Sequence, residues 1–193
     1  MKKFVIFLVV PLFIFCSLSS DEVVTSSNKY FEGTITYRID YRSYTDYFTE
    51  EKLKETVGSK MVIAFKEGNS KKQYYSSNGN LLSERFLDLN ANKSYSKSFD
   101  DDTLYWFDIT KHDSKSTFNQ IHDTLILDHS CIGVESKTTV TGVGYGNKTF
   151  EVGGEYYYSK SHKVNPDWFA DFKEENFNEI IKIGKGISLL EIG

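Results

Sequence analysis

The sequence predicts a mainly β (α+β) domain: a curved antiparallel sheet of sequential hairpins, partly closed, with two short helices. Three observations carry this prediction. Apolar and polar residues alternate strictly after Phe31, with Ile35, Tyr37, Ile39 and Tyr41 against Thr36, Arg38, Asp40 and Arg42, as a half-buried strand requires. Turn residues then recur between short apolar runs, as in a meander. Composition agrees, since 13 Tyr and 15 Phe favour strands and only 2 Pro interrupt them.

Taken in chain order, the first element is an address. Lys2 and Lys3 precede an apolar run from Phe4 to Phe15, and the small residues Ser17, Ser19 and Ser20 follow. This is the pattern of a secretory signal peptide over 1–20, with the mature chain starting near Asp21. The run is shorter than the roughly 20 apolar residues that span a bilayer. Cys16 raises lipidation as an alternative, but Phe15 places a bulky ring where a lipoprotein signal needs a small side chain. Residues 21–30 read as a flexible polar leader, and 31–193 as a single antiparallel β domain.

After the first strand comes a short helix. Thr49 suits the N-cap, Glu50 and Glu51 suit the positive end of the helix dipole, and Gly58 can close the far end. Phe48 and Leu53 stand where a hydrophobic staple would form. Met61, Ile63 and Phe65 then alternate with Val62, Ala64 and Lys66, and Glu67-Gly68-Asn69 turns the chain into a strand holding Tyr74 and Tyr75. Asn78-Gly79 predicts a type I′ hairpin, because both residues tolerate positive φ.

Further strands are expected at Leu81 to Leu89, Tyr95 to Phe99 and Leu104 to Ile109. The last is apolar on both parities and reads as a strand covered on both sides. A weaker strand near Leu125 to Leu127 precedes one from Ile132 to Val140. Thr149 to Ser159 forms the return arm of a long hairpin whose tip is Gly142 to Asn147. Gly153-Gly154 within that arm signals a bulge or a close backbone approach. Asn165 and Pro166 read as N-cap and N1 of a helical turn with Trp168, Phe169 and Phe172 on its face. Ile180, Ile181 and Ile183 form a further element, and Ile187 to Ile192 a last strand, after which either the sheet ends or the sequence is a fragment.

Charge and cysteine use narrow the function classes. Without Lys2 and Lys3, 21 basic side chains face 27 acidic ones, a net charge of −6. That surface lacks the basic stripe nucleic acid needs and any polybasic handle for anionic lipid. Loss of Cys16 leaves Cys131 alone, so the mature monomer has no internal disulfide, and Cys131 reads as a small buried hydrophobe.

The motifs for chemistry are weak. His129 and Cys131 share a strand face with His122 upstream, a spacing unlike the standard zinc patterns, so no metal and no cofactor are expected. The two remaining histidines, His112 and His162, read as loop or strand-end residues. Asp128, His129 and Ser130 carry the letters of a hydrolase triad, but consecutive strand residues point to opposite faces. The Gly142/Gly144/Gly146 tract lacks the strand–helix context of a dinucleotide fingerprint. Asp100-Asp101-Asp102 lacks the spacing of a calcium loop.

A resemblance adds to this reading. Phe31-Glu32-Gly33-Thr34-Ile35-Thr36-Tyr37, the Cys131-centred strand, Tyr156-Tyr157-Tyr158 and Val164-Asn165-Pro166-Asp167-Trp168-Phe169 recur together in one kind of protein. On these motifs, from Phe31 onward, the chain resembles a family of exported bacterial domains of unknown function, similar in fold to the lipoprotein carriers LolA and LolB. The resemblance implies a curved sheet partly closed by helices over an apolar concave face, and no catalytic residues.

The expected function is therefore non-catalytic binding of an apolar ligand, a lipid or acyl chain, in the periplasm or cell envelope of a Gram-negative bacterium. The candidate groove comprises Ile35, Tyr37, Ile39, Met61, Ile63 and Phe65, with Trp168 and Phe169 as a lid. Simple core packing is the competing reading of the same side chains. It goes with a structural or interaction module that has a fully packed core, no small-molecule ligand, and an envelope protein as partner. An envelope hydrolase comes third, without a visible nucleophile–base pair.

Overall fold

A computed structural model describes residues 29–43, 46–111, 115–142 and 148–193. The expected signal peptide, Cys16, most of the leader, His112 and the hairpin tip at 143–147 lie outside these residues.

The fold is mainly β and antiparallel, with two short α-helices. Six strands follow one another as hairpins in the first sheet: β1 (Gly33–Arg38), β2 (Lys60–Lys66), β3 (Asn69–Tyr75), β4 (Leu81–Asp88), β5 (Lys93–Ser98) and β6 (Leu104–Asp108). Helix α1 (Glu50–Thr56) joins β1 to β2. The later strands make a second sheet from β7 (Lys115–Gln120), β8 (Thr124–Ile126), β9 (His129–Gly142), β10 (Lys148–Lys163) and β11 (Gly186–Ile192). Its order is β11-β10-β9-β7, and β8 pairs with the start of β9, so β7 and β8 lie end to end along one edge. Between β10 and β11 run a 3₁₀ turn (Pro166–Phe169), a second one (Glu174–Asn176) and helix α2 (Phe177–Gly184).

The local signals explain these boundaries. The Thr49 hydroxyl accepts the Lys52 N–H at 3.2 Å, as an N-cap does, and Phe48 packs in the same cluster as Leu53. Asn165 Oδ1 accepts the Asp167 N–H at 3.1 Å and caps the 3₁₀ turn that Pro166 opens. The second α-helix is α2, where the three isoleucines stand, rather than the segment after Asn165. Gly153 and Gly154 pair in continuous register with Lys137 and Ser136, so there is no bulge against β9. They mark a close approach instead: a Cβ on Gly153 would lie 2.7 Å from the Ser136 carbonyl oxygen.

Three apolar clusters hold the molecule together. One lies between the sheets and under the helical segment, and includes Leu87, Ile109, Val134, Tyr158, Phe169 and Ile181. A second packs β1 and β2 against α1 through Ile35, Tyr37, Ile39, Tyr41, Leu53 and Met61. The third, on the outer side of the second sheet, contains Cys131, Tyr157 and Leu189. Tyr37 bridges the two sheets, its hydroxyl donating to the Ser188 carbonyl on β11 at 2.7 Å.

One strand departs from expectation. β6 is an edge of the first sheet, and Leu104, Tyr105 and Trp106 are 59%, 56% and 57% exposed. Its apolar residues on both parities reflect an uncovered edge, not a strand buried on both sides. The Trp106 ring is instead capped by the Lys93 ammonium at 4.1 Å.

Candidate ligand cavity

The inner faces of the two sheets do not meet everywhere, and between them lies a cavity of about 570 Å³. This falls within the roughly 300–1,000 Å³ of small-molecule sites. Strand register decides what lines it. Ile63 of β2 stands opposite Ile35 on β1 and Lys72 on β3, and Lys72 in turn opposite Arg85 on β4. Directly paired residues share a face, so Ile63, Lys72 and Arg85 all look inward. The first sheet contributes these with Tyr37, Phe65 and Leu87. The second contributes Phe118, Val152, Tyr156, Tyr158, Ile187 and Glu191. Phe169, Phe172, Phe177, Ile180 and Ile181 close the third side from the helical segment.

Of the eight side chains expected to form a groove, Tyr37, Ile63, Phe65 and Phe169 line this cavity. Ile35, Ile39 and Met61 share their face but pack against α1 in the second cluster. Trp168 does not cover the cavity. Its ring meets Tyr30 edge-on at 5.2 Å, and its Cβ lies 3.0 Å from where a Cβ on Gly68 would be, so it clamps the 3₁₀ turn onto the β2–β3 hairpin. Phe169, only 2% exposed, is the residue that reaches inward, between Phe65 at 6.3 Å and Phe177 at 5.1 Å.

The polar part of the wall was missed from sequence. Arg85 donates through Nε to the Ser94 hydroxyl at 2.8 Å and through Nη2 to both Glu174 oxygens at 2.6 and 2.5 Å. It also lies 5.0 Å from the Phe107 ring centroid. The pair therefore fastens the helical segment to the first sheet. Glu191 is half-buried and lines the cavity. Burial pushes its carboxyl above the ordinary value of 4.5, while the Lys72 ammonium pulls the other way. Burial likewise holds the Tyr158 hydroxyl well above its ordinary range.

Glu191 gives the domain a pH dependence of defined sign. Between the ordinary value and the raised one, the folded chain keeps a proton that the unfolded chain has released. The stability so contributed is complete below about pH 4.5 and is lost as pH rises through the raised value. Glu191→Gln removes this titration. In thermal melts its Tm is expected to exceed the parent's by a margin that is larger at neutral pH than at about pH 4. A margin that stays flat would mean that the carboxyl is not held in a protonation-favouring site.

The candidates Cys131, His122 and His129 do not converge on one site, although His129 and His162 lie together with the Ser159 and Ser161 hydroxyls, at 3.2 Å from His129 Nδ1 to Ser161 and 3.0 Å from His162 Nδ1 to Ser159. Cys131 is wholly buried in the third cluster, and burial pushes its thiol up. His122 stacks edge-on with Tyr157 at 6.2 Å, whereas His129 meets His162 at 4.8 Å. Among the described residues no group of three or more His, Cys, Asp or Glu is placed to hold a metal ion. Among the same residues no helix is long and apolar enough to cross a membrane. No protein-family model, curated protein or solved structure matches the chain.

Proposed function

We propose that this chain is an exported, non-catalytic binding protein for an apolar ligand, an acyl chain or lipid, in the bacterial cell envelope. The observation that carries the reading is the cavity of about 570 Å³ between the sheets, walled largely by aromatic and aliphatic side chains. A fully packed core would have left no such space, since interiors normally close to crystal-like density. Each methylene placed there is stabilised by about 0.8 kcal/mol relative to water. The reading also suits the resemblance to LolA- and LolB-like carriers and the secretory pattern of 1–20.

Ile63 is the position at which to test it, because it is half-buried, lies on β2 with a paired strand on either side and lines the cavity. N-phenyl-1-naphthylamine is expected to bind saturably to the full chain, and Ile63→Trp to weaken that binding at least tenfold by filling the space. Equal binding by the two proteins would place the probe elsewhere and remove the support for this reading.

A second reading rests on the β6 edge. Leu104, Tyr105 and Trp106 belong to an exposed strand whose outer edge has no partner strand among the described residues, the kind that accepts an extended peptide from a protein partner. It gains ground if the apolar probe fails to bind.

A further inference from the structure

Within the reading of the cavity as a ligand site, we propose that its ligand is a single-chain amphiphile with a carboxylic acid head, seated against the Lys72 ammonium. The argument begins with register. Lys72 and Arg85 are direct partners across β3 and β4 and both line the cavity. Like charges so placed repel one another, and a fold keeps them only with counter-charge at hand.

Arg85 has its counter-charge. Its guanidinium is taken up by Glu174, Ser94 and the face of Phe107. Lys72 does not. It is half-buried, and among the described residues it makes no hydrogen bond and no ion pair within 4.0 Å. Glu191 on β11 is close enough to feel the Lys72 charge, but the two make no contact. An anionic head group placed beside a half-buried ammonium that lacks a partner gains a charge-assisted hydrogen bond.

The remaining charges favour a carboxylic acid. Glu174 is committed to Arg85, and Glu175, which also lines the cavity, is exposed to solvent. Glu191 stands across from Lys72, and its burial favours the protonated form, which donates a hydrogen bond. A carboxyl head between them accepts from Lys72 through one oxygen and shares a proton with Glu191 through the other. The tail then lies among Ile63, Phe65, Tyr156 and Phe177.

Displacement of bound N-phenyl-1-naphthylamine from the full chain by palmitate and by hexadecanol tests this. The two share a chain and differ in the charge of the head. Palmitate is expected to displace the probe with at least tenfold lower apparent Kd. Lys72→Met should bring palmitate to parity and leave hexadecanol unchanged, and Lys72→Arg should keep the preference. Retained hexadecanol displacement also shows that Lys72→Met is folded. Equal displacement by both amphiphiles in the parent, or an undiminished palmitate preference in Lys72→Met, overturns the head-group assignment and leaves the cavity reading standing. Failure of both amphiphiles to displace the probe overturns the cavity reading and the assignment with it.

Discussion

Gly184→Ala is expected to destabilise the folded domain by roughly 3 kcal/mol, the upper part of the range for overpacking a core. Gly184 closes α2, and a Cβ built there would lie 2.4 Å from both Cγ and Cδ2 of Tyr158. Carbon atoms at rest keep about 3.5–4.0 Å apart, so one partner must move. Tyr158 is 3% exposed and packed in the cluster that holds Ile180 and Ile181, so the clash is relieved only by pushing its ring into the cavity it lines or by lifting the helix. Because Phe177, Ile180 and Ile181 of α2 wall the cavity, the same change should weaken N-phenyl-1-naphthylamine binding. Urea denaturation reads the first effect as a lower midpoint at unchanged slope. Lys182→Ala, at an exposed position two residues earlier, should shift the midpoint by less than about 0.5 kcal/mol. If Gly184→Ala matched that control, the close seating of α2 on β10 would be wrong.

Leu127→Asn combined with Asp128→Gly is expected to stabilise the domain by about 2 kcal/mol. These two residues form the whole loop between β8 and β9, since Ile126 pairs directly with His129. Their φ angles are 47° and 65°, the left-handed pair that a two-residue type I′ loop demands. Left-handed backbone costs an ordinary L-residue roughly 1–2 kcal/mol, whereas Asn and Gly adopt it readily. Leu127 is 48% exposed, so little burial is lost. A double variant no more stable than its parent would show that the loop relaxes out of this geometry.

That loop also shows where sequence reasoning reaches its limit. Asn78-Gly79, the best hairpin signal in the chain, sits at a hairpin, but not of the expected type. Gly79 alone has positive φ, at 81°. The Gly79 N–H donates to the Ser76 carbonyl at 3.0 Å, and Ser76 and Asn80 close the loop one residue later. The loop is longer than two residues, with glycine alone in the left-handed position. The true two-residue loop is Leu-Asp, which carries no local signal; tertiary pairing of β8 with β9 imposes it. Caps at Thr49 and Asn165 were legible because each is a contact between residues at most three apart.

Strand alternation was legible for the same reason, and it placed Tyr37, Ile63 and Phe65 correctly on one inner face. It did not tell which of their neighbours α1 would cover, and Ile35, Ile39 and Met61 went to that cluster instead of the cavity. The division of the strands into two sheets depends on long-range pairing that alternation does not encode. β7 was missed because Lys-Ser-Thr-Phe-Asn-Gln offers a single apolar residue, Phe118. Lys72 was hidden in the polar run Lys71-Lys72-Gln73. Register counted through the Glu67-Gly68 turn would have set it opposite Ile63, on the inner face. Arg85 and Glu174 lie 89 residues apart, beyond any local pattern.

The central claim is that the space between the sheets holds an apolar ligand. Native mass spectrometry of the protein, expressed from the full sequence and recovered from the periplasm, beside a denatured control, tests it most directly. The account predicts a mass increment that is lost on denaturation, extracts as a lipid or fatty acid, and is absent from Ile63→Trp. A parent chain that is bare on recovery and stays bare after incubation with total lipid extract of its host would contradict it.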